Sequence, residues 1–178
     1  KDRIKNQLEL MNINVNNQPD ISWLIKDSIS GLPSNNFVII LPGSSPQHMH
    51  KRWPAEKFAK IVNYLKEKNI DSIILGQTKS EGVEIKIIKT LAPSIIDFSD
   101  RDLSCLATTA TRAIGAIGND TGPTFLAAAA GCPVTWLLSS HTNPKVTQLT
   151  GSKVNILKKD NIADITIDEV KNNLALRD

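Results

Sequence analysis

The sequence is poor in aromatic residues and in cysteine, and it lacks any long apolar run. Aromatic side chains make up 4% of its 178 residues, so isoleucine, leucine, valine and alanine must fill the core. The two cysteines, Cys105 and Cys132, do not form a Cys-x-x-Cys pair, and we predict that they are buried, inert thiols in a reducing compartment. No segment reaches the roughly 18 apolar residues that a membrane helix needs, and no signal peptide is visible.

Several motifs that carry chemistry are also missing. No Gly-x-Gly-x-x-Gly follows a strand pattern, which leaves a nicotinamide dinucleotide site unsupported, and there is no Walker A loop. The absence of Gly-x-Ser-x-Gly argues against serine hydrolysis. The three histidines do not stand at metal-ligand spacing with cysteines or carboxylates. The sequence therefore predicts neither a cofactor nor a metal.

The charge balance is mildly basic and carries little information about partners. The formal net charge is +3, with 22% charged residues and scattered lysines. This favours anionic partners weakly, and it argues against nucleic acid because the mixed aromatic and basic pattern of single-strand binders is absent. The length fits one domain with a sizeable core.

Short apolar runs alternate with amphipathic segments along most of the chain. Such alternation is typical of α/β folds with a parallel sheet and right-handed crossovers. We predict an amphipathic helix over 1–11 and a linker over 12–36, with Trp23, Leu24 and Ile25 holding the linker against the domain. The predicted strands are 37–41, 71–75, 94–97, 113–117, 133–138 and 153–157, and the predicted helices are 54–68, 80–91, 102–111, 122–130 and 167–175.

The run from Gly118 to Pro133 is the most informative segment. It reads Gly-Asn-Asp-Thr-Gly-Pro-Thr-Phe-Leu-Ala-Ala-Ala-Ala-Gly-Cys-Pro and stands between two strand patterns. A helix that begins on a glycine turn presents free N–H groups and the positive end of its dipole, which suits a phosphate. The alternative is an ordinary strand–helix turn capped by Asp120 or Thr121.

A second segment points to the same chemistry. The first predicted strand is followed by a long, polar and basic loop over 42–53, and Pro54 fits the first position of the next helix. Loops beyond the carboxyl ends of parallel strands are where α/β sheets bind ligands. A lysine there can meet a phosphate as a point charge, and we assign that role to Lys51. We interpret Arg52 as a solvated surface charge and Trp53 as a packing residue.

Four motifs in this order resemble the carboxyl-terminal half of glycosyltransferase family 9, the ADP-heptose:lipopolysaccharide heptosyltransferases. They are Pro-Gly-Ser-Ser at 42–45, Lys-Arg-Trp-Pro at 51–54, Leu-Gly-Gln-Thr-Lys-Ser-Glu at 75–81 and Asn-Asp-Thr-Gly-Pro at 119–123. The resemblance covers residues 36 to about 140. It implies a GT-B architecture of two Rossmann-like α/β domains, each a parallel sheet flanked by helices. Residues 1–35 would then be an interdomain helix and linker, and residues 36–178 the nucleotide-sugar-binding domain.

The resemblance also implies roles for single residues. The donor phosphates would be bound by Ser44, Ser45, Lys51, Thr121, Gly122 and Pro123, beside Asp120. The nucleoside would be bound by Glu81 and by the backbone of Arg101, Asp102 and Leu103. Glu81 would hold the ribose hydroxyls, because a carboxylate accepts two hydrogen bonds. Ser80 is the neighbouring alternative for that role, and an exposed glutamate in the first turn of a helix is the other interpretation of Glu81.

One position departs from the family pattern. The motif Asp-x-Gly-Pro-x-His begins at Asp120, but its last position is Phe125. A phenyl ring can neither donate a hydrogen bond nor carry a charge. Either the histidine is dispensable, or the donor chemistry is altered, or the protein is weak or inactive as a transferase. His48, His50 and His141 lie elsewhere in the chain, and we interpret each as a surface residue.

The resemblance implies transfer of heptose from ADP-heptose to the lipopolysaccharide inner core. The enzyme would be bacterial and cytoplasmic, with peripheral contact to the inner membrane. Its catalytic base would lie in an amino-terminal acceptor domain that precedes Lys1, so these residues alone would bind the donor without turning it over. The alternatives are another GT-B transferase or a nucleotide-sugar epimerase that uses UDP or GDP, a degenerate non-catalytic binding homologue, and an α/β domain for an unrelated small ligand.

Overall fold

In a computed structural model, which describes residues 2–13, 20–151 and 153–177, the strands form one six-stranded parallel sheet in the order β3-β2-β1-β4-β5-β6. The strands are β1 Phe37–Leu41, β2 Asp71–Ile74, β3 Ile96–Asp97, β4 Gly115–Asn119, β5 Val134–Leu138 and β6 Val154–Lys158. The helices are α1 Asp2–Leu10, α2 Ala55–Glu67, α3 Thr78–Leu91, α4 Leu103–Arg112, α5 Gly122–Ala129 and α6 Ile167–Asn172. The α/β fold with a parallel sheet is confirmed.

The central strand β1 shows how the sheet is covered on both faces. All five of its residues are buried, as expected for a parallel strand with helices on either side. Val38 and Ile40 pack into a cluster with side chains of α2, α3 and α6. Ile39 and Leu41 pack into a second cluster with side chains of α4 and α5. Successive side chains of a strand point to opposite faces, so one apolar run supplies both cores.

Several element boundaries differ from the predicted ones. Strand β4 begins at Gly115, two residues later than predicted, because Ala113 still closes α4. It pairs with β1 from Gly115 onwards and ends on the polar residue Asn119. Strand β3 has only two residues and lies at the edge of the sheet. Pro54 precedes α2 as its N-cap rather than occupying its first turn.

The last helix is also shorter than predicted. It ends at Asn172, and Asn173 forms its C-cap. The following chain continues along the sheet, where the Ala175 N–H donates to the Thr135 hydroxyl at 2.9 Å. Residues after the helix therefore pack against β5 in extended form, which an amphipathic pattern alone does not distinguish from one more helical turn.

The predicted linker is held to the domain, but not through Trp23, whereas Leu24 and Ile25 are half-buried. Trp23 is 77% exposed, so it does not pin the segment. Ile29 and Leu32 pack against the second cluster instead, and the Lys26 N–H donates to Thr108 Oγ1 at 2.8 Å. The part of the predicted linker at 14–19 lies outside the described residues.

Cys105 and Cys132 are buried free thiols, as predicted, and burial raises the pKa of Cys132 to about 12. Within the described residues, no helix combines the length and apolar character that crossing a bilayer requires.

Candidate functional site

The strand order defines the place where a ligand is expected. Strand β1 pairs with β2 on one side and with β4 on the other, so the direction of chain progression reverses between β1 and β4. Ligands of open α/β sheets bind outside the carboxyl ends of the strands at such a switch point. We call the loop 42–53, the turn 119–121 and the start of α5 together the β1–β4 corner.

Asn119 joins the two sides of the β1–β4 corner. Its side chain is completely buried. The Oδ1 atom accepts from the Trp53 N–H at 3.1 Å, and Nδ2 donates to the Pro42 carbonyl at 2.7 Å. A buried amide that satisfies backbone groups of a loop holds that loop in one conformation. Sequence reasoning missed Asn119, although a polar residue that ends an otherwise apolar strand is a usable signal.

The start of α5 carries no side-chain cap. Thr121 is the N-cap residue, yet its hydroxyl makes no capping hydrogen bond. The Asp120 carboxylate instead accepts from Lys51 Nζ at 2.7 Å and from Thr142 Oγ1 at 2.5 Å. The interpretation of this turn as an ordinary one capped by Asp120 or Thr121 is therefore wrong. Pro123 has no N–H, and the Thr124 and Phe125 N–H groups donate to the Thr121 carbonyl at 3.0 and 3.3 Å. Of this first turn, the Gly122 N–H is therefore the donor left to an anion.

Lys51 stands beside this helix start. Its side chain is 20% exposed and that of Asp120 is 9% exposed, so the ion pair is largely withdrawn from water. An ammonium group has three donors, and the bond to Asp120 occupies one of them. Lys51 is thus oriented by the carboxylate while it keeps donors for a second acceptor. Gly122 and Pro123 open α5 next to this pair, with the proline in the first turn.

The two serines of the loop differ in exposure. Ser44 is buried, and its hydroxyl donates to the His48 carbonyl at 2.9 Å and accepts from Arg52 Nε at 3.1 Å. Ser45 is exposed at the start of the short helix Pro46–Lys51. Contact of either hydroxyl with a diphosphate stays a prediction.

The interpretation of Arg52 as a solvated charge is wrong. Its side chain is 8% exposed and pairs with Glu84 Oε1 at 2.7 Å. The guanidinium also donates to the carbonyls of Ser44 and Ser80, at 2.7 and 3.1 Å. Arginine suits this position because its planar fork can reach several acceptors at once. Arg52 therefore ties loop 42–53 to α3.

Trp53 is the packing residue that the sequence predicted. It is fully buried, it packs edge-on against Phe58 with ring centroids 4.9 Å apart, and its Nε1 donates to the Ile165 carbonyl at 3.0 Å. The residue therefore anchors the end of loop 42–53 in the core.

Glu81 lies in a tight position between the ends of β1 and β2. Only 8% of the residue is exposed, so the interpretation as an exposed helix glutamate is wrong. A methyl group added at Gly43 or Gly76 would overlap the Glu81 carboxylate, which explains glycine at both positions. Burial raises the pKa of Glu81, against the opposing effects of the Gln77 N–H and the Arg52 charge.

The segment 101–103, which was predicted to face the base, contributes Arg101 and Asp102 to the lining of a cavity outside the β1–β4 corner. Arg101 lies over the Phe98 ring at 3.5 Å and donates to the Ser30 carbonyl at 3.1 Å. Asp102 caps α4 through the Cys105 N–H at 2.7 Å, and Leu103 is 60% exposed. The cavity, of about 390 Å³, is lined by Lys26, Ser28, Ile29, Ser30, Arg101, Asp102 and Cys105. Contact of this segment with a base stays a prediction.

Phe125 occupies the position where the family pattern has histidine. Its ring packs edge-on against Trp136, with centroids 5.6 Å apart and planes at 82°. Trp136 is fully buried, and its Nε1 finds no hydrogen-bond partner among the described residues. Phe125 therefore extends the apolar core towards the first turn of α5.

The three histidines are exposed, as predicted, but they come together. The His50 ring lies 4.4 Å from that of His141 and 5.6 Å from that of His48, measured between centroids. Sequence reasoning missed this cluster, because His141 belongs to the loop after β5. Among the described residues, no group of three or more histidines, cysteines or carboxylates is arranged to hold a metal ion.

The profile of glycosyltransferase family 9 (heptosyltransferase) matches residues 7–175. Escherichia coli heptosyltransferase WaaC, solved with ADP, superimposes with a TM-score of 0.76 at 17% identity, over 93% of this chain and 52% of that one. Escherichia coli ADP-heptose lps heptosyltransferase II gives 0.70 at 19% identity, over 80% and 46%.

Other comparisons set the limits of this likeness. A Listeria monocytogenes protein described as a UDP-N-acetylglucosamine 2-epimerase gives a TM-score of 0.56 at 12% identity, over 93% of this chain and 42% of that one. A search of curated proteins finds no match. The chain spans about half the length of the heptosyltransferases, and its fold is that of GT-B glycosyltransferases. The match over most of the sequence confirms the resemblance, and the chain belongs to glycosyltransferase family 9, the heptosyltransferases.

Proposed function

We propose that this chain is the donor-binding part of a heptosyltransferase that uses ADP-heptose. The observation that carries the proposal is the Lys51–Asp120 pair beside the uncapped start of α5. A fixed cation next to the Gly122 N–H, at the positive end of a helix dipole and at a switch point, suits a diphosphate. Two structures of WaaC hold ADP and ADP-2-deoxy-2-fluoro heptose, which supports a nucleotide-sugar donor for the present protein as well.

The proposed chemistry follows from where negative charge develops. When the bond from the sugar carbon to the diphosphate breaks, ADP leaves with additional charge on its terminal phosphate. Lys51, the exposed Ser45 hydroxyl and the turn 121–123 would stabilise that charge, as preorganised donors do in other enzymes. The Ser44 hydroxyl could join them only by leaving the His48 carbonyl to which it donates. The acceptor hydroxyl would lose its proton to a base outside these residues. We propose the lipopolysaccharide inner core as acceptor and the cytoplasmic face of the inner membrane as the place of reaction.

Glu81 supports a nucleoside subsite next to the β1–β4 corner, on the β2 side of β1. Its carboxylate is buried, and of its two oxygens Oε2 accepts a bond of 3.3 Å from the Gln77 N–H. A desolvated carboxylate gains strongly from hydroxyl donors. Two ribose hydroxyls would supply them. Retention of a costly buried charge next to Gly43 and Gly76 is in keeping with a ligand-binding role.

Calorimetric titration with ADP, UDP, GDP and CMP tests the proposal. We expect ADP to bind best, and Lys51→Ala to weaken it by roughly 10- to 100-fold, as loss of a charge-assisted hydrogen bond does. Lys60→Ala is the matched control, because Lys60 is an exposed lysine on α2 beside α6. A preference for UDP or GDP would favour another GT-B transferase or an epimerase. Absence of nucleotide binding would reject a donor site in this chain.

Phe125 favours one other candidate, a non-catalytic binding homologue. Its phenyl ring is part of the apolar packing on Trp136, so a polar contact of the family pattern is missing there. Phe125→His in the full-length protein, assayed for sugar transfer, separates the two. A large gain in transfer would indicate a degenerate site. Unchanged transfer by a working wild type would show that the histidine is dispensable here.

A further inference from the structure

The histidine cluster stands immediately beside the proposed diphosphate site. His48 and His50 belong to the helix Pro46–Lys51, whereas His141 follows β5. The rings of His50 and His141 are 4.4 Å apart. Two loops from different strands thus place three titratable rings at the same edge of the sheet.

The cluster is physically linked to the Lys51–Asp120 pair on both sides. His50 directly precedes Lys51, and His141 directly precedes Thr142, whose hydroxyl donates to Asp120 at 2.5 Å. Lys158 of β6 donates to the Thr142 carbonyl at 2.8 Å. The two segments that carry His50 and His141 are therefore fixed, through Lys51 and Thr142, by the carboxylate of Asp120.

The charges around His50 are mainly positive. Its own segment contributes His48 and Lys51, the loop after β5 contributes His141, and β6 contributes Lys158 through Thr142. Asp120, on the turn before α5, is already engaged by Lys51 and Thr142. Desolvation lowers the pKa of His50, and His141, His48 and Lys51 lower it further. What would stabilise protonated rings here is an anion.

We propose that His50 and His141, with His48 behind them, form a second anion-binding element for the donor diphosphate. The inference rests on the proposed function and adds a specific property to it: the cluster takes up a proton when the diphosphate binds. It thereby supplies cationic donors that Phe125 cannot supply in the first turn of α5. The rings reach the site from the two loops that flank Asp120, rather than from α5 itself.

The direction of the pH dependence follows from linkage. A histidine that is largely neutral in the free protein and protonated in the complex binds a proton with the ligand. Affinity then rises as pH falls, by up to about tenfold per pH unit for each linked proton. The rise ends below the histidine pKa of the free protein, where the rings are already protonated.

Calorimetry with ADP-glucose measures this linkage. Both of its phosphates are esterified, so the ligand itself does not titrate near neutral pH. Titrations at pH 8 and pH 6, in buffers of different ionisation enthalpy, give the affinity and the number of protons taken up. We expect the wild type to bind at least fivefold tighter at pH 6 than at pH 8, with net proton uptake.

The variants identify the groups responsible. His50→Gln combined with His141→Gln should abolish both the pH dependence of the affinity and the proton uptake. His48→Gln should have a smaller effect, because its ring is farther from His50. All three positions are exposed, so thermal melting should be unchanged.

The outcomes separate this inference from the proposed function. Equal affinity at both pH values, or a pH dependence that survives in the double variant, would overturn the histidine element and leave the donor site standing. If ADP-glucose does not bind at either pH, the donor site fails, and inorganic pyrophosphate is titrated instead. Histidine-dependent pyrophosphate binding at pH 6 would support the cluster as an anion site. Absence of pyrophosphate binding would reject both.

Discussion

Helices α5 and α6 begin in opposite ways. At α6 the Thr166 hydroxyl accepts from the Glu169 N–H at 3.1 Å, and the Glu169 carboxylate accepts from the Thr166 N–H at 2.8 Å. This capping box satisfies first-turn donors within the chain. Glu169 also pairs with Lys159 at 2.7 Å, and these bonds lower the pKa of Glu169 to about 2.

The start of α5 also has a threonine as its N-cap residue, but this threonine does not cap the helix. Thr121 makes no capping bond, and the neighbouring carboxylate of Asp120 is turned to Lys51 and Thr142. The chain thus contains the residues for a cap and does not form one. The comparison teaches that the cap of α6 stabilises the fold, whereas the start of α5 has no side-chain cap and leaves the Gly122 N–H to a ligand. The loops around α5 must therefore be held by other bonds.

The largest effect is expected from breaking the bonds that hold these loops. Arg52→Ala leaves Glu84, whose side chain is 14% exposed, without its cationic partner, and it removes a donor from the carbonyls of Ser44 and Ser80. Loss of one member of a buried pair costs about 3–5 kcal/mol. Urea denaturation should therefore show a large drop in the free energy of unfolding.

Lys159→Ala is the matched variant for the helix α6 side. Its ion pair with Glu169 is exposed, with side chains 43% and 34% accessible, and such pairs contribute little. The denaturation midpoint should stay nearly unchanged. If both variants lose stability equally, the bonds of Arg52 do not hold the corner in the way that we describe.

The next effect comes from giving α5 an acidic cap. Thr121→Asp places a carboxylate at the N-cap position, beside the proposed diphosphate. A like charge at about 5 Å costs roughly 3 kcal/mol at an effective dielectric constant of about 20, so affinity for ADP should fall about a hundredfold. Thr121→Asn is the control, since it can cap without charge and should cost far less affinity. Unchanged ADP affinity in the aspartate variant would place the phosphates elsewhere.

Glu81→Gln should lower the affinity for ADP and raise the stability of the fold. Loss of charge-assisted bonds to the ribose should weaken ADP by about tenfold. The variant should also melt at a higher temperature, because burial of the carboxylate raises its pKa and so penalises its ionised form in the folded state. The gain should widen as pH rises through the carboxyl range and disappear in acid, where wild-type Glu81 is protonated when folded and unfolded. A variant that is less stable at neutral pH would contradict this account.

Much of the fold could be predicted, because it depends on local patterns. Strands β1, β2 and β5 begin within one residue of their predicted positions, since each is a short apolar run with polar residues or glycine beyond it. The start of strand β4 was predicted two residues too early, because Ala113 and Ile114 look like strand residues although Ala113 is the C-cap of α4. Trp23 shows the same limit, since large apolar side chains are sometimes exposed.

The candidate site was predictable only where a motif carried it. Lys51, Asp120 and Glu81 stand in short segments with a recognisable order, and the structure brings Lys51 and Asp120 together across 69 residues of sequence. Arg52 was misread because its partner Glu84 is 32 residues away on another element. Asn119 and the histidine cluster depend in the same way on how separate loops meet, which local pattern does not contain.

The smallest effect is expected from making α6 resemble α5. Thr166→Ala removes the hydroxyl that accepts from the Glu169 N–H, and loss of an N-cap costs about 1 kcal/mol. ADP affinity should not change, because the site lies at the β1–β4 corner. The pKa of Glu169 is depressed, so its contribution to stability is complete above the ordinary glutamate range and is lost as pH falls from 4.5 towards about 2. The difference in unfolding midpoint between wild type and variant should therefore shrink over that range, and a constant difference would show that the hydroxyl acts without the carboxylate.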